Sequence, residues 1–409
     1  MRKILIVCML LIAAVSNING QLAGKVIAAN NKQPIPSASV FLSNTSVGTI
    51  SNEKGEFLIT RLPAGRFDLV VSCVGYETEV QSIFSNQLPS SLVIALKPKA
   101  KELDEVIVEQ YDKNGWDRWG SFFLENFIGT SDLAKDCKLK NYKAVKFKYS
   151  KKLNLLKAFA DEALIIENKS LGYHVTYQLT KFEYNFSSHV FYYQGYPLFQ
   201  EMESKRKNQL KRWAVNREDA YYGSLMHFMR CVFRNTLIEE GYQVRRLKKI
   251  KDEEKERVKG IYQNRVKSQL GNGKTISLNL GDKDSSDYYS SVMRRPDGYD
   301  AVINKVLSGD SIAYAIDSVT AGLVFEDYLL VAYTKRRDPA GYKDYSKNKD
   351  STGSYGTVAS QIYLPNKRGI AVLANGSYYE GMDLITMEFW AWWEKLATML
   401  PFDYWPAKK

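Results

Sequence analysis

The chain has 409 residues, is 45% hydrophobic and 25% charged, and carries a formal net charge of +12. These proportions exclude a disordered chain and leave room for two or three domains with a sizeable core. The three histidines and four cysteines exclude a disulfide-rich scaffold and make a dense metal site improbable on composition.

Arg2 and Lys3 precede a twelve-residue apolar run, Ile4 to Val15, followed by "SNING". That layout is an export signal, and the run is too short to span a bilayer comfortably. Residues 1–20 are read as a signal peptide, with cleavage expected after Gly20. Cys8 has almost no apolar run before it and is a poor lipid-anchor cysteine. No later run reaches the ~18 apolar residues of a spanning helix. The expected location is therefore the periplasm, the outer-membrane periphery or the cell surface, with no transmembrane segment. Cys73, Cys137 and Cys231 remain after cleavage. Cys73 is in phase with Leu69 and Val71 and reads as a small buried hydrophobe. Cys137 and Cys231 stand either as a bridge or as two thiols.

Residues 21–98 alternate in short runs: Ala38-Val40-Leu42, Phe57-Ile59 and Leu69-Val71-Cys73. Breakers separate them at Gln33-Pro34, Asn52 to Gly55 and Pro63-Ala64-Gly65. About seven strands at this spacing predict an all-β sandwich, with Gly55 and Gly65 in turns of positive φ. Particular residues carry a resemblance: Gly24-x-Val26, Pro34-Ile35-Pro36-x-Ala38-x-Val40, Gly48-Thr49, Gly55-x-Phe57, Leu62-Pro63-x-Gly65 and Val74-Gly75-Tyr76. They resemble the carboxypeptidase regulatory-like domain, a transthyretin-like sandwich. The resemblance implies a fold and no catalytic residues. Ser51-Asn52 departs from the family's frequent Thr-Asp, but Asn makes the same side-chain-to-backbone turn bond.

Residues 99–115 form a charged linker. Within it "KELDEVIVE" resembles the stretch that ends the leading domain of Bacteroidetes-type TonB-dependent outer-membrane receptors. A receptor barrel of 22 strands of about ten residues, with a plug, does not fit the roughly 300 residues that remain. A small barrel fits by length, but a strong helix in mid-chain and the ending "DYWPAKK" speak against it.

Residues 116–409 are read as one larger α+β domain, mostly antiparallel, with a central and a C-terminal helix. Of 27 tyrosines, 26 lie after residue 100, as do all seven tryptophans. "YKAVKFKYS", "GYHVTYQLTKFEYNF" and "VFYYQGYPLF" alternate as strands, with a phase slip near Thr180-Lys181 that predicts a bulge. Residues 204–240 are predicted helical, with Tyr221, Leu225, Phe228 and Val232 on one stripe, a cap at Asn216 and a stop at Gly241. "RRLKKIKDEEKERVKG" is a charge-dense segment. Strands resume at "KTISLNL", "DYLLVAYT", "SQIYLP" and "GIAVLA". The segment "DLITMEFWAWWEKLATML" is predicted to be an amphipathic helix, packed in the core through Ile385, Phe389, Trp392 or Trp393, and Leu396. This arrangement, including "AYYGSLMHF" and "LPFDYWP", is similar to that of exported bacterial proteins which pair the same leading sandwich with an α+β domain.

The chemistry is sparse. His174, His189 and His227 lie in no HxxE or HExxH motif, which argues against a carboxypeptidase zinc site. His174 is out of phase with its strand's aromatic stripe and is expected at the surface. "GNGKT", residues 271–275, lacks the earlier glycine of a phosphate loop and reads as an Asn-Gly hairpin turn. Asp282, Asp284 and Asp287 lack the glycine and glutamate of a calcium loop. No cofactor is expected. The best binding candidate is a helical stripe of Ser224, His227, Arg230 and Arg234, which suits an anionic group; the competing reading is a solvated helix face, or one hydrogen-bonded to the sheet. About nine net positive charges lie beyond residue 97. Basic runs at "KRKNQLKR" and "RRLKKIK" suit anionic lipopolysaccharide, membrane surface or glycan, the more frequent explanation being a solvated charged helix; nucleic acid is not expected for an exported chain. Two functions follow: a non-enzymatic binding or adaptor module for an envelope partner or glycan, or a hydrolase of unrecognised type acting between sheet and helix.

Overall fold

A computed structural model describes residues 20–63, 65–85, 87–89, 91–99, 111–271, 283–347, 357–379 and 381–407. The expected signal peptide, most of the linker with "KELDEVIVE", the Asn272-Gly273 turn and the strand "KTISLNL" lie outside the described residues.

Seven strands build the leading sandwich. They are β1 (Gly20–Ala28), β2 (Ser39–Leu42), β3 (Gly48–Ile50), β4 (Glu56–Leu62), β5 (Arg66–Ser72), β6 (Glu79–Phe84) and β7 (Leu92–Leu96). One sheet runs β4-β1-β7 and the other β3-β2-β5-β6. The pairing is antiparallel except between β1 and β7. The period-2 pattern of the sequence is why: Leu22, Val26 and Ala28 of β1 point inward and pack with Val40, Leu69 and Ile94. Gly55 and Gly65 do adopt positive φ, +74° and +127°. Asn52 makes the expected turn bonds, its Oδ1 accepting from the amides of Lys54 and Glu56, both at 2.9 Å.

Most of the rest of the described chain shares one core, with residues from Phe123 to Leu400, beside a small separate cluster of Leu247, Leu330 and Ala359. Helix α1 (Gly115–Phe127) covers a sheet made from β8 (Cys137–Leu139), β9 (Val145–Ser150), β10 (Leu155–Ala160), β11 (Leu164–Asn168), β12 (Tyr173–Asn185) and β13 (Val190–Glu201). The pairing of β12 with β13 shifts register between Leu179 and Lys181, the bulge that the phase slip predicts. Two helices follow, α2 (Lys207–Tyr221) and α3 (Leu225–Arg234). Next come β14 (Tyr242–Lys251), the helices α4 (Glu253–Gly271) and α5 (Lys283–Arg294), and β15 (Gly298–Val302). The remaining elements are β16 (Ala313–Ala315), β17 (Thr320–Leu323), β18 (Tyr328–Tyr333), α6 (Ala340–Lys347), β19 (Val358–Tyr363), β20 (Ile370–Leu373), β21 (Tyr378–Tyr379), β22 (Ile385–Glu388) and the short α7 (Phe389–Trp393). They complete a five-stranded sheet, β15-β14-β18-β19-β22, and a four-stranded sheet, β16-β17-β20-β21.

Three expectations need correction. The central helix is broken: Gly223, at φ +83°, stands between α2 and α3, and a Cβ there would lie 2.8 Å from the Tyr333 ring. Ser224 caps α3 and Asn235 ends it in the left-handed region, so Asn216 and Gly241 are neither its cap nor its stop. The charge-dense segment divides into β14 and the start of α4. The C-terminal segment is a strand, β22, joined at Glu388 (φ +61°) to a five-residue helix. Its core role holds: Phe389, Trp390, Trp392, Trp393 and Leu396 are buried.

The sandwich is seated on the second region. Phe41 and Val70 pack on Leu198 of β13. The loop after β2 enters between β13 and the chain end. The Asn44 amide donates to Pro197 O at 2.8 Å, and Asn44 O accepts from the Phe402 amide at 2.7 Å. The Ser46 amide donates to Asp403 at 3.0 Å, and the Ser46 hydroxyl donates to the same carboxylate.

Candidate functional site

Ser224, His227 and Arg230 do share one side of α3, but that side is interior. Arg234 alone of the four is exposed. The solvated-face reading therefore fails for three of them. The Ser224 hydroxyl caps the helix by accepting from the His227 amide at 3.1 Å. The His227 ring is 2% exposed, enclosed by Tyr221, Tyr242 and Tyr333. The Gly223 amide donates to Nδ1 at 3.3 Å, which leaves the ring proton on Nε2, 3.5 Å from a Glu240 carboxylate oxygen. Tyr242 Oη lies 3.0 Å from the same Nδ1. Burial, with Arg230, Lys335 and Arg234 adding to it, lowers the ring pKa to about 3. The imidazole is thus neutral at physiological pH.

Arg230 is 1% exposed and works as a brace. Its Nε donates to Asn375 O at 2.8 Å and its Nη2 to Phe402 O at 3.1 Å. Trp405 lies across the guanidinium at 3.6 Å and reaches Arg234 at 4.7 Å. One side chain thereby ties α3, the turn after β20 and the chain end together.

The group that sequence reasoning missed is Glu394. Its Oε1 accepts from the Leu225 amide at 2.8 Å, at the positive end of α3. Burial lifts this carboxyl to about 7, although the Leu225 amide, Arg336 and Lys395 pull the other way. Its charge in turn raises the phenols of Tyr193 and Tyr378, after the larger effect of their own burial. A carboxyl that titrates near neutrality among phenols is able to donate or accept a proton. Only one signal marked it in the sequence: an acid directly after two tryptophans, at the end of the aromatic run Phe389 to Trp393.

Other expectations resolve as follows. His174 is exposed on β12. Cys137 and Cys231 are free, buried thiols, both pushed up to about 12 by burial, so no bridge joins them. Cys73 is half-buried at the edge of the sandwich core. Asp284 and Asp287 fall on α5, and among the described residues no group of three or more His, Cys, Asp or Glu is placed to hold a metal. Among them, too, no helix is long and apolar enough to cross a membrane. Two surface clefts stand apart from α3. One, of ≈ 410 Å³, lies between α1 and β8 and includes Trp116, Leu124, Ile128 and Cys137. The other, of ≈ 480 Å³, is lined by Arg206, Lys207, Asn208, Gln209 and Arg212 at the start of α2.

Comparison with known proteins bears mainly on the sandwich. A TonB-dependent receptor, P39 of Formosa agariphila, is 33% identical over 99 residues, which are 24% of this chain and 9% of the receptor. Two solved structures overlap more widely but loosely. A putative membrane-associated protein of unknown function from Bacteroides fragilis covers 90% of this chain and 94% of its own, at 8% identity and a TM-score of 0.16. A 9R-lipoxygenase from Cyanothece covers 53% of this chain and 49% of its own, at 10% identity and the same score. Neither superposition is close enough to establish a common architecture. Residues 22–108 match the CarboxypepD_reg-like domain family. With its seven-strand, two-sheet architecture and the turn bonds of Asn52, the leading part of the chain is a carboxypeptidase regulatory-like domain.

Proposed function

We propose that the chain is an exported cell-envelope protein whose role is binding: an adaptor for an envelope partner or an anionic glycan. The observation that carries this reading is the regulatory-like domain, together with 33% identity over 99 residues to part of a TonB-dependent receptor. The packing supports it. His227 is neutral and enclosed, and Arg230 is held by two carbonyl groups and an indole. Of the stripe read for anion binding, Arg234 alone meets solvent, beside Trp405, which is 44% exposed. An indole edge next to a guanidinium suits a sugar ring bearing an acidic substituent. Cell fractionation tests the location: the protein should appear with envelope markers, and recovery with cytoplasmic markers overturns the reading. Titration with acidic oligosaccharides tests the contact. Trp405→Ala and Arg234→Ala should each weaken binding about tenfold, and equal affinity in both variants removes this surface from the proposal.

The second reading, a hydrolase, is favoured by Glu394 alone. Its test is turnover of envelope glycans and peptides by the wild type and by Glu394→Gln. Activity that disappears in the variant would replace the binding reading.

A further inference from the structure

Helix α2 is fixed to the molecule by one face. Trp213 Nε1 donates to Lys169 O at 2.9 Å, Asn216 Nδ2 to Ser170 O at 2.7 Å, and Arg217 Nε to Leu171 O at 2.8 Å. The opposite face carries Lys207, Lys211, Ala214 and Val215, with Arg206, Leu210 and Arg212 flanking it, and all are exposed. Many cations of this protein sit against carboxylates, as Lys146 does with Asp161, Lys157 with Glu183 and Lys255 with Asp297. Among the described residues, Arg206, Lys207, Lys211 and Arg212 have no carboxylate within ion-pair distance. They also crowd the positive end of their helix. No acid stands in the first turn, and Arg206, at the cap position, makes no capping bond. Cations there oppose the helix dipole, so a helix that needed only solvation would carry acids instead. The cleft of ≈ 480 Å³ opens among the same side chains.

We propose that this free face of α2 docks on an anionic lipid surface. The inference rests on the envelope location proposed above. The cations spread along about two turns of a convex helix, with Leu210 and Val215 exposed between and beside them. That pattern suits a flat, deformable, charged surface with an apolar layer beneath, better than one small anion held from several sides. Lipid phosphates meet the lysines and arginines, and the two aliphatic side chains meet the headgroup boundary.

The test is co-sedimentation of the chain from Gln21, which lacks the apolar leader and keeps every residue of the described cores. It should partition onto phosphatidylglycerol-containing vesicles and not onto phosphatidylcholine alone. Binding should fall steeply as salt rises from about 0.05 to about 0.5 M, as the Debye length shrinks. Each surface cation contributes about fivefold in partitioning, so the triple variant Lys207→Gln, Lys211→Gln, Arg212→Gln should lose roughly a hundredfold. Val215→Ser, which keeps every charge, should lose a few-fold, and melting curves confirm that both variants are folded. Three results overturn the proposal: no vesicle binding by the wild type, undiminished binding by the triple variant, or binding to polyglutamate in place of vesicles. Competition by millimolar inorganic phosphate at constant ionic strength also overturns it, because it marks a discrete anion site. Absent vesicle binding by a chain still recovered in the envelope removes this inference alone; recovery in the cytoplasm removes the reading beneath it.

Discussion

His227 and Glu394 lie at the same end of α3 and titrate in opposite senses. The folded ring has a pKa near 3 against an ordinary 6.5. Between those values the unfolded chain binds a proton that the folded chain refuses, so stability falls as pH drops through 6.5. Glu394 sits near 7 against an ordinary 4.5. In that window the folded chain holds a proton that the unfolded chain has lost, so stability falls as pH rises toward 7. The two slopes oppose each other between pH 4.5 and 6.5. Glu394→Gln keeps an acceptor for the Leu225 amide and removes one of the slopes. Its stability relative to wild type should fall by up to about 1.4 kcal/mol per pH unit as pH is lowered from 6.5 to 4.5. Thermal melts of both proteins across that range measure the difference, and parallel profiles would show that Glu394 is an ordinary surface acid.

At the scale of elements, legibility followed the strength of the local pattern. The sandwich strands were readable because β1, β4 and β5 alternate between core and solvent, and because Asn52 and Gly55 punctuate them. The bulge in β12 was readable as a phase slip. Helix α1 was not recognised, although Trp116, Trp119, Phe123 and Phe127 recur at helical spacing and pack, tilted or edge-on, against Phe147, Tyr149, Phe182 and Tyr177. The break between α2 and α3 had its own signal, a glycine before a capping serine, hidden by an apolar stripe that continues across it. The segment 385–393 misled for a physical reason. Its spacing suits a helix, but Ile385 to Glu388 find β19 as a partner, and ladder hydrogen bonds outweigh the local preference. Glu394 then passed for the polar face of that helix, whereas it caps another. Of the candidate stripe on α3, Ser224, His227 and Arg230 are interior because β14 and the chain end cover them, which local pattern does not report. Phe389→Ala tests the core assignment. It removes a ring stacked on Trp393 and should cost roughly 3–5 kcal/mol. Denaturant melts should show this loss with vesicle partitioning unchanged; an unaltered midpoint would contradict it.

At the scale of the molecule, the sandwich and the second region meet through few groups, and the chain end is one of them. Asp403→Ala leaves the surface amide and hydroxyl of Ser46 to water, a loss of about 0.5–1.5 kcal/mol. The loop is free to lift, so hydrogen exchange at residues 43–47 should rise while β12 and α3 stay protected. Arg230→Met should act more widely. It frees Phe402 and Asn375 together, so exchange should rise at residues 374–377, 402–407 and 43–47. Unchanged exchange at 43–47 in both variants would mean that the contacts with β13, through Phe41, Val70 and Asn44, hold the loop without the chain end.

That seat has a consequence for biosynthesis. Ser46 and Asp403 are 357 positions apart. The strands of the sandwich have all been translated by Leu96, whereas the carboxylate that receives its loop comes about 300 residues later. At roughly 5–20 residues per second the delay is ~15–60 s. A small β-sandwich folds in milliseconds to seconds once its strands are free to pair, so its core does not need the socket in order to form. A polypeptide truncated before Pro401 would lack the Phe402 and Asp403 contacts and leave the loop after β2 unfastened. Fastening of the first domain's loop thus waits on residues about 300 positions downstream of its own strands.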